Sequence, residues 1–222
     1  MHHSKRKAAH VYRALRQDIV LGLRPPGDCL LEIALANEFE ASQGTIREAL
    51  MSLAEEGLVI RDGYRGTRIS SIELDEAEEL LALRLRLESV GIVRALAQVK
   101  PPLITDLHTL IERMKASARQ EDYYATMEYD HDFHLLIFQH ARLPVMVPML
   151  SRCMLHMHRL SFVETRRLES GQARLDAMLI SIDRHYNIVD TLVQGDEKEA
   201  LRVIDAHIRT VWENGLAGMR SQ

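Results

Sequence analysis

Cysteine is scarce: a chain of 222 residues holds two, Cys29 and Cys153. They stand far apart and neither belongs to a Cys-x-x-Cys pair, which excludes a disulfide framework and a thiolate zinc site. Any metal must use other ligands. Long apolar runs are missing as well. None approaches the ~18 residues a membrane helix needs, and the opening stretch MHHSKRKAAHVYRALRQDIV lacks the apolar core and small-residue cleavage site of a signal peptide. The expectation is a soluble, cytoplasmic protein with no membrane partner. No sign of charge dominates, since 28 Lys+Arg against 32 Asp+Glu leave −4. That argues against a histone-like, wholly basic nucleic-acid binder but says nothing of a local surface. Internal repeats and low-complexity segments are absent. What is present is an ordinary globular mixture, 46% apolar and 27% charged, at a length for one large domain or two small ones. The surplus is histidine, with 11 residues.

The pattern changes sharply near residue 72, and the charge divides there. Residues 1–72 hold 10 Lys+Arg and 9 Asp+Glu, whereas 73–222 hold 18 and 23, so the acidity belongs to the second part. Within 1–24, six basic side chains face one acidic residue, Asp18. Val11, Leu15, Ile19 and Val20 have helical spacing and predict a helix over about 8–22, stopped before Pro25-Pro26-Gly27. Leu31, Leu35 and Phe39 mark a second short helix. After the turn EFEAS, Ser42 is placed to cap a third whose apolar face is Ile46, Ala49, Leu50 and Leu53. Leu58-Val59-Ile60 and Thr67-Arg68-Ile69 predict two strands around a tight loop. The sum is a helix, a helix-turn-helix and a two-stranded wing. From Glu73 onward only helical patterns remain, six of them over about 75–99, 102–118, 121–140, 144–167, 173–194 and 196–219. The fold class is mainly α: a winged helix-turn-helix over 1–72, then an all-α bundle over 73–222, long enough to bury a real core.

In a helix-turn-helix the N-terminal residues of the second helix enter the major groove, where Gln binds adenine and Arg binds guanine or phosphate. Ser42, Gln43, Gly44, Thr45 and Arg47 occupy that first turn, whose backbone N–H groups also suit a phosphate. In the wing Tyr64, Arg65 and Arg68 alternate with Gly63 and Gly66, which lets the backbone bend close to DNA. The competing reading is a protein-interaction module with a few solvated arginines.

These residues reach a family. The stretch Val11 to Ile69, above all RPPGDCLLEIALANEFEASQGTIREALMSLAEEGLVIRDGYRGTRIS, resembles the winged helix-turn-helix of GntR-type bacterial transcription regulators. The resemblance rests on Pro-Gly before the second helix, a Leu-x-Glu, the T-x-R-E-A-L-like recognition helix, E-G-L-V, and R-G-T in the wing. It implies DNA contacts from Ser42, Gln43, Thr45 and Arg47, with Arg65 and Gly66 contacting DNA from the wing. The family often has Arg where this chain has Gln43 and a basic residue where it has Ile33, so an operator sequence does not carry over.

The second part concentrates a different chemistry. In EYDHDFHLLIF, Asp130 and His134 are four apart and share one helix face. His185 and His207 each lie on the apolar stripe of a later helix, beside Ile188, Val189 and Leu192 in one case and Val203, Ile204 and Val211 in the other. Three helices can thus bring one carboxylate and three imidazoles to an interior point, a set suited to Zn²⁺ or another first-row divalent ion. The alternative is core histidines bonded to neighbours. His156 and His158 are two apart and cannot share a face, so one of them is a candidate to line the same cavity; the other histidines need no special role. The Met146, Met149, Met154 and Met157 stripe reads as core filling.

Residues about 75–215 resemble the FCD effector-binding domain of the FadR branch of GntR regulators, in a six-helix count nearer the shorter VanR-like form. That branch often carries a D-x-x-x-H pair and two later histidines about 22 residues apart, as are His185 and His207. The resemblance implies a divalent metal, Zn first with Ni or Mn as alternatives, on Asp130, His134, His185 and His207. It also places an R-x-x-L-E motif on Arg84, Leu87 and Glu88, with Arg84 reaching into the cavity to bind a carboxylate effector. An ion pair at the surface or between domains is the other reading of Arg84. The expected protein is a homodimeric, metabolite-responsive repressor that binds an inverted-repeat operator and a small carboxylate or hydroxy acid, and is not an enzyme. A regulator that senses the metal itself is the alternative. A metal-dependent hydrolase is a further one, disfavoured because no general-base partner or nucleophile motif is evident.

Overall fold

The computed structural model describes residues 2–63, 66–168 and 171–216, excluding the side chains of 2–4, 163–168 and 213–216. The chain divides into two compact units, Met1–Glu73 and Leu74–Gln222.

The first unit runs α1 (His2–Val20), β1 (Cys29–Leu30), α2 (Glu32–Glu38), α3 (Gln43–Glu55), β2 (Val59–Asp62) and β3 (Gly66–Ile69). Ala8, Val11, Leu15 and Ile19 recur every three or four residues on α1, and all are buried. They face α3, whose Ile46, Ala49, Leu50 and Leu53 are buried in turn. Helix α1 starts well before the expected residue 8 because Lys5, Arg6, Lys7 and Ala8 are good helix formers with no breaker among them. Ser42 caps α3 as expected, its Oγ accepting from Thr45 N at 3.2 Å. The far end of α3 closes on Gly57, at φ +79°, with Leu58 N donating to Leu53 O at 3.0 Å and Gly57 N to Ala54 O. Gly57 supplies the left-handed residue, and Leu53 and Leu58 on either side of it are both buried.

The wing has a third strand. β1 pairs antiparallel with β3 (Cys29 opposite Arg68), and β3 with β2 (Val59 opposite Ile69), giving the order β1-β3-β2. Two residues after Pro25-Pro26-Gly27-Asp28 carry no readable period, so β1 exists only through its partner. Along β3, Thr67 and Ile69 are buried while Gly66 and Arg68 are exposed, the alternation a half-buried strand requires.

The second unit consists, among the described residues, of six helices: α4 (Leu74–Leu96), α5 (Pro101–Arg119), α6 (Tyr123–His140), α7 (Val147–Leu168), α8 (Gly171–Gln194) and α9 (Glu197–Leu216). Their starts follow local chemistry. Pro101 and Pro102 open α5, Asp122 caps α6 by accepting from Ala125 N, and Asp196 accepts from Glu199 N at the head of α9. α4 packs on α6, α7 and α9, and α5 on α6 and α8. Leu87, Phe138, Leu150 and Met154 form one buried cluster. Met157 joins the interior, but Met149 is 54% exposed and does not fill the core. No helix among the described residues is long and apolar enough to cross a membrane.

Gly91 on α4 is where α6 comes closest: a Cβ there would stand 2.5 Å from Cδ2 of Phe138, a ring that is itself buried. Gly91→Ala is therefore expected to destabilise the protein by about 1–3 kcal/mol through overpacking, read as a lower urea midpoint. At the turn between α2 and α3 the left-handed position is held by Glu40 at φ +48°. Glu40→Gly should stabilise by roughly 0.5–1 kcal/mol, since it relieves that strain at a smaller entropic cost; an unchanged midpoint would count against strain at this turn.

Candidate metal centre and nucleic-acid interface

Helix α6 presents Asp130 and His134 one turn apart, α8 brings His185, and α9 brings His207. One ligand atom from each of these four residues lies within 4.8 Å of the others. The three imidazoles are buried, at 1%, 1% and 4% exposure, while Asp130 is half-buried. Their rings pack edge-on or tilted, with centroids 4.4 Å apart for His185 and His207 and 5.2 Å for His134 and His207.

The hydrogen bonds around the cluster fix which nitrogen of two rings points inward. His134 Nδ1 lies 2.5 Å from Oε2 of Glu88, and a carboxylate accepts, so the proton sits on Nδ1 and the lone pair on Nε2. His185 Nδ1 donates to the Ile182 carbonyl at 3.0 Å, which leaves a lone pair on its Nε2 too. Neither inward nitrogen has a hydrogen-bond partner, nor does Nδ1 of His207. His185 Nε2 does lie 3.0 Å from Oδ1 of Asp130, but without hydrogen-bond alignment. A neutral imidazole lone pair facing a carboxylate oxygen at that distance is repulsive unless a cation lies between them. Buried, unpaired acceptors that converge are costly in themselves and suit a divalent metal.

Around the four candidate ligands sits a second layer of charge. Arg84 Nε donates to Glu88 Oε1 at 2.6 Å, so α4 supplies Arg84 and Glu88 as a buried relay that ends on His134 of α6. The arrangement matches the carboxylate–histidine pairs that orient metal ligands. Arg84 is 2% exposed, which excludes the surface reading, and Glu88 compensates its charge. Sequence reasoning placed Glu88 only as a letter in a motif. Its spacing of four from a buried arginine was the available signal. On α7, His158 Nε2 donates to Asp130 Oδ2 at 2.7 Å, so of the MLHMHRL pair it is His158 that meets the cluster.

Burial pushes the Glu88 carboxyl upward, but the His134 N–H and the Arg84 guanidinium overcome it and hold it down at about 2. Burial likewise raises Asp130, and the hydrogen bond from His158 helps bring it well below the usual carboxylate range. His207 is depressed by burial first and by the neighbouring imidazoles second, so it stays neutral and available as a donor. Burial lifts the Cys153 thiol to about 11, and its Sγ donates to Leu80 O. That thiol is not a ligand.

In the first unit, Ser42, Gln43, Gly44 and Arg47 are exposed at the start of α3. Arg47 Nε pairs with Glu32 Oε2 at 2.7 Å, an ion pair between α3 and α2 that leaves the Arg47 side chain 58% exposed. Thr45 departs from expectation. It is 5% exposed and its Oγ1 lies 2.9 Å from Ser42 Oγ, so its hydroxyl completes the cap instead of facing outward. Gly66, at φ +81°, and Arg68 are exposed on β3, and Arg65 and Tyr64 lie outside the described residues.

The depressed groups make an acid-stability prediction for the metal-free protein. An unfolded imidazole takes its proton near 6.5, above His207 in the fold, so stability should begin to fall as pH drops through 6.5. The Glu88 contribution is complete above 4.5 and is lost between 4.5 and about 2. Urea midpoints in chelator should therefore fall in both windows, and Glu88→Gln should flatten the lower one.

Residues 79–210 match the model of the FCD domain, and residues 7–69 match that of the gntR family of bacterial regulatory proteins. The transcriptional repressor RspR of Escherichia coli K12 is 28% identical over 129 residues, 58% of this chain and 57% of that protein. The gluconate operon transcriptional repressor of Bacillus subtilis is 36% identical over 108 residues, 49% of this chain and 44% of that one. The chain spans about half the length of these relatives. The solved structure of E. coli McbR/YncC shares the fold, with a TM-score of 0.77 at 16% identity over 97% of this chain and 98% of that one. With the FCD model alone matching more than half of its residues, the chain belongs to the gntR family of bacterial regulatory proteins and carries an FCD domain as its second part.

Proposed function

We propose that this protein is a DNA-binding transcription regulator, a homodimeric repressor whose FCD domain holds a divalent metal and binds a small carboxylate or hydroxy acid there. The single observation that carries the effector reading is the buried convergence of Asp130 with three imidazoles whose inward nitrogens lack partners. Family membership carries the regulatory reading, and both relatives above bear the name repressor. The name of one ties it to gluconate, a hydroxy acid, in keeping with the ligand class.

Asp130, His134, His185 and His207 would hold the ion, with Zn²⁺ the first choice and Ni²⁺ or Mn²⁺ also suited to nitrogen and oxygen donors. When bound, it supplies Lewis-acid attraction for a carboxylate and hydroxyl at positions the protein leaves open. The chain's own residues do the rest. Glu88 fixes the His134 ring, and Arg84 holds Glu88 ionised. Arg84 is bonded to Glu88, which is bonded to His134, so the guanidinium stands one side chain behind the cluster, and its terminal N–H groups, those beyond Nε, would pair with the effector's carboxylate. For regulation, the effector must bind DNA-competent and DNA-incompetent arrangements unequally. A difference of ~1–3 kcal/mol changes operator affinity about 5–150-fold.

On DNA, the first turn of α3 would enter the major groove, with Gln43 reading a base edge and Arg47 exchanging its pair with Glu32 for a phosphate or guanine. Ser42 and the free N–H groups of the cap would meet the backbone, and Gly66 with Arg65 and Arg68 would approach from the wing. A two-fold dimer then requires an inverted repeat.

Three measurements test this. Zn²⁺ at about 100 times its Kd should stabilise the wild type by ~2.7 kcal/mol in thermal unfolding, and His185→Ala should abolish the gain; metal retained in that variant would remove His185 from the ligand set. Anisotropy titrations on a fragment of the protein's own promoter should show Arg47→Ala binding more weakly, with its salt slope reduced by about one. An identical slope removes Arg47 from the phosphate contacts. A small-acid library screened on metal-loaded protein should give at least one acid that changes promoter affinity without being consumed.

A further inference from the structure

The four candidate ligands are not equally fixed. Three are imidazoles at 4% exposure or less, and two of these are locked from behind, His134 by Glu88 and His185 by the Ile182 carbonyl. Asp130 is the exception, with its side chain 23% exposed. Its two oxygens are in different company. Oδ1 lies on the side of His185 Nε2, at 3.0 Å, and Oδ2 accepts from His158 Nε2 at 2.7 Å. His158 sits on α7, a helix that contributes none of the four ligands, and its side chain is 11% exposed. Its ring is edge-on to His131, whose Nε2 lies 2.9 Å from Ser151 Oγ on the same helix α7.

We propose that His158 is a positioning residue of the metal centre: by donating to Oδ2 it restricts Asp130 to binding through Oδ1 alone, and so keeps one more position on the ion open for the effector. This rests on the reading that Asp130, His134, His185 and His207 hold an ion. A carboxylate coordinates through one oxygen or through both. Three imidazole nitrogens and one oxygen leave two sites on a six-coordinate ion, enough for the carboxylate and hydroxyl of a hydroxy acid. If Oδ2 also bound, one site would remain, and a two-point ligand would no longer fit. The hydrogen bond from His158 occupies the oxygen that would close that position, as a partner behind a ligand commonly sets its orientation.

Co²⁺ tests this on the full chain, because its visible absorption reports coordination number. Affinity is read by competition with a chromophoric chelator, and glycolate serves as the two-point probe. His158→Ala should weaken Co²⁺ about 10–100-fold, change the intensity of the visible bands, and lose the spectral response to glycolate. His158→Gln, which presents an amide N–H toward Oδ2, should recover the spectrum and the glycolate response. It also keeps the test valid if the alanine variant does not fold. A wild-type spectrum and affinity in His158→Ala overturn the proposal. So does a Gln variant that folds, binds Co²⁺ and still lacks the glycolate response, since His158 would then act only structurally. A wild type that binds no Co²⁺ overturns the metal centre itself, whereas Co²⁺ binding indifferent to His158 overturns this inference alone.

Discussion

The second unit depends on one constraint: imidazoles buried among apolar side chains must have a reason to keep unpaired nitrogens in the interior. Glu88 and the Ile182 carbonyl turn His134 and His185 so that their lone pairs face inward, toward each other and toward Asp130. An interior arranged in this way is unfavourable alone, because each desolvated acceptor without a donor costs roughly 1–3 kcal/mol. A divalent cation would convert that cost into coordination, and the orientation of the rings is legible even though they sit in a bundle held by ordinary packing.

Buried ion pairs are weak evidence for stability, because desolvation offsets most of the attraction between the partners. Arg84 and Glu88 are better understood as holding a ring in place than as holding the fold together. The second unit is held instead by apolar packing, of which the cluster of Leu87, Phe138, Leu150 and Met154 and the close approach of α4 to α6 that Gly91 permits are parts. Phe133 packs edge-on against both His134 and His185, so the apolar core and the polar cluster share a wall. The relay limits what Arg84 can do. With Nε committed to Glu88, only its terminal groups remain for a ligand, and removing Arg84 would disturb His134 as well as any anion.

The first unit solves a different problem. It must expose polar side chains on the first turn of a helix whose other face is buried. Ser42 satisfies the free backbone donor of Thr45, the Thr45 hydroxyl turns inward to support the cap, and Gln43 and Arg47 are left outside. The ion pair of Arg47 with Glu32 is largely exposed and therefore cheap to exchange for another anion.

The sequence by itself determined the helices, because three- and four-residue spacing, proline positions and capping residues act locally. Ser42, Asp130 and His134 were readable for that reason, and His185 and His207 stood out as polar residues on apolar stripes. Resemblance to a family joined them into one set. Strand β1 was invisible because two residues have no period, and its existence depends on pairing with β3. The inward burial of Thr45, the exposure of Met149 and the partnerships Glu88 with His134 and His158 with Asp130 were decided by tertiary structure. Each depends on which side chains meet across helices 28 to 46 residues apart in the chain, or on which faces packing leaves open. Local rules choose the face of a helix, but only packing chooses what that face touches and which nitrogen of a histidine is left to bind.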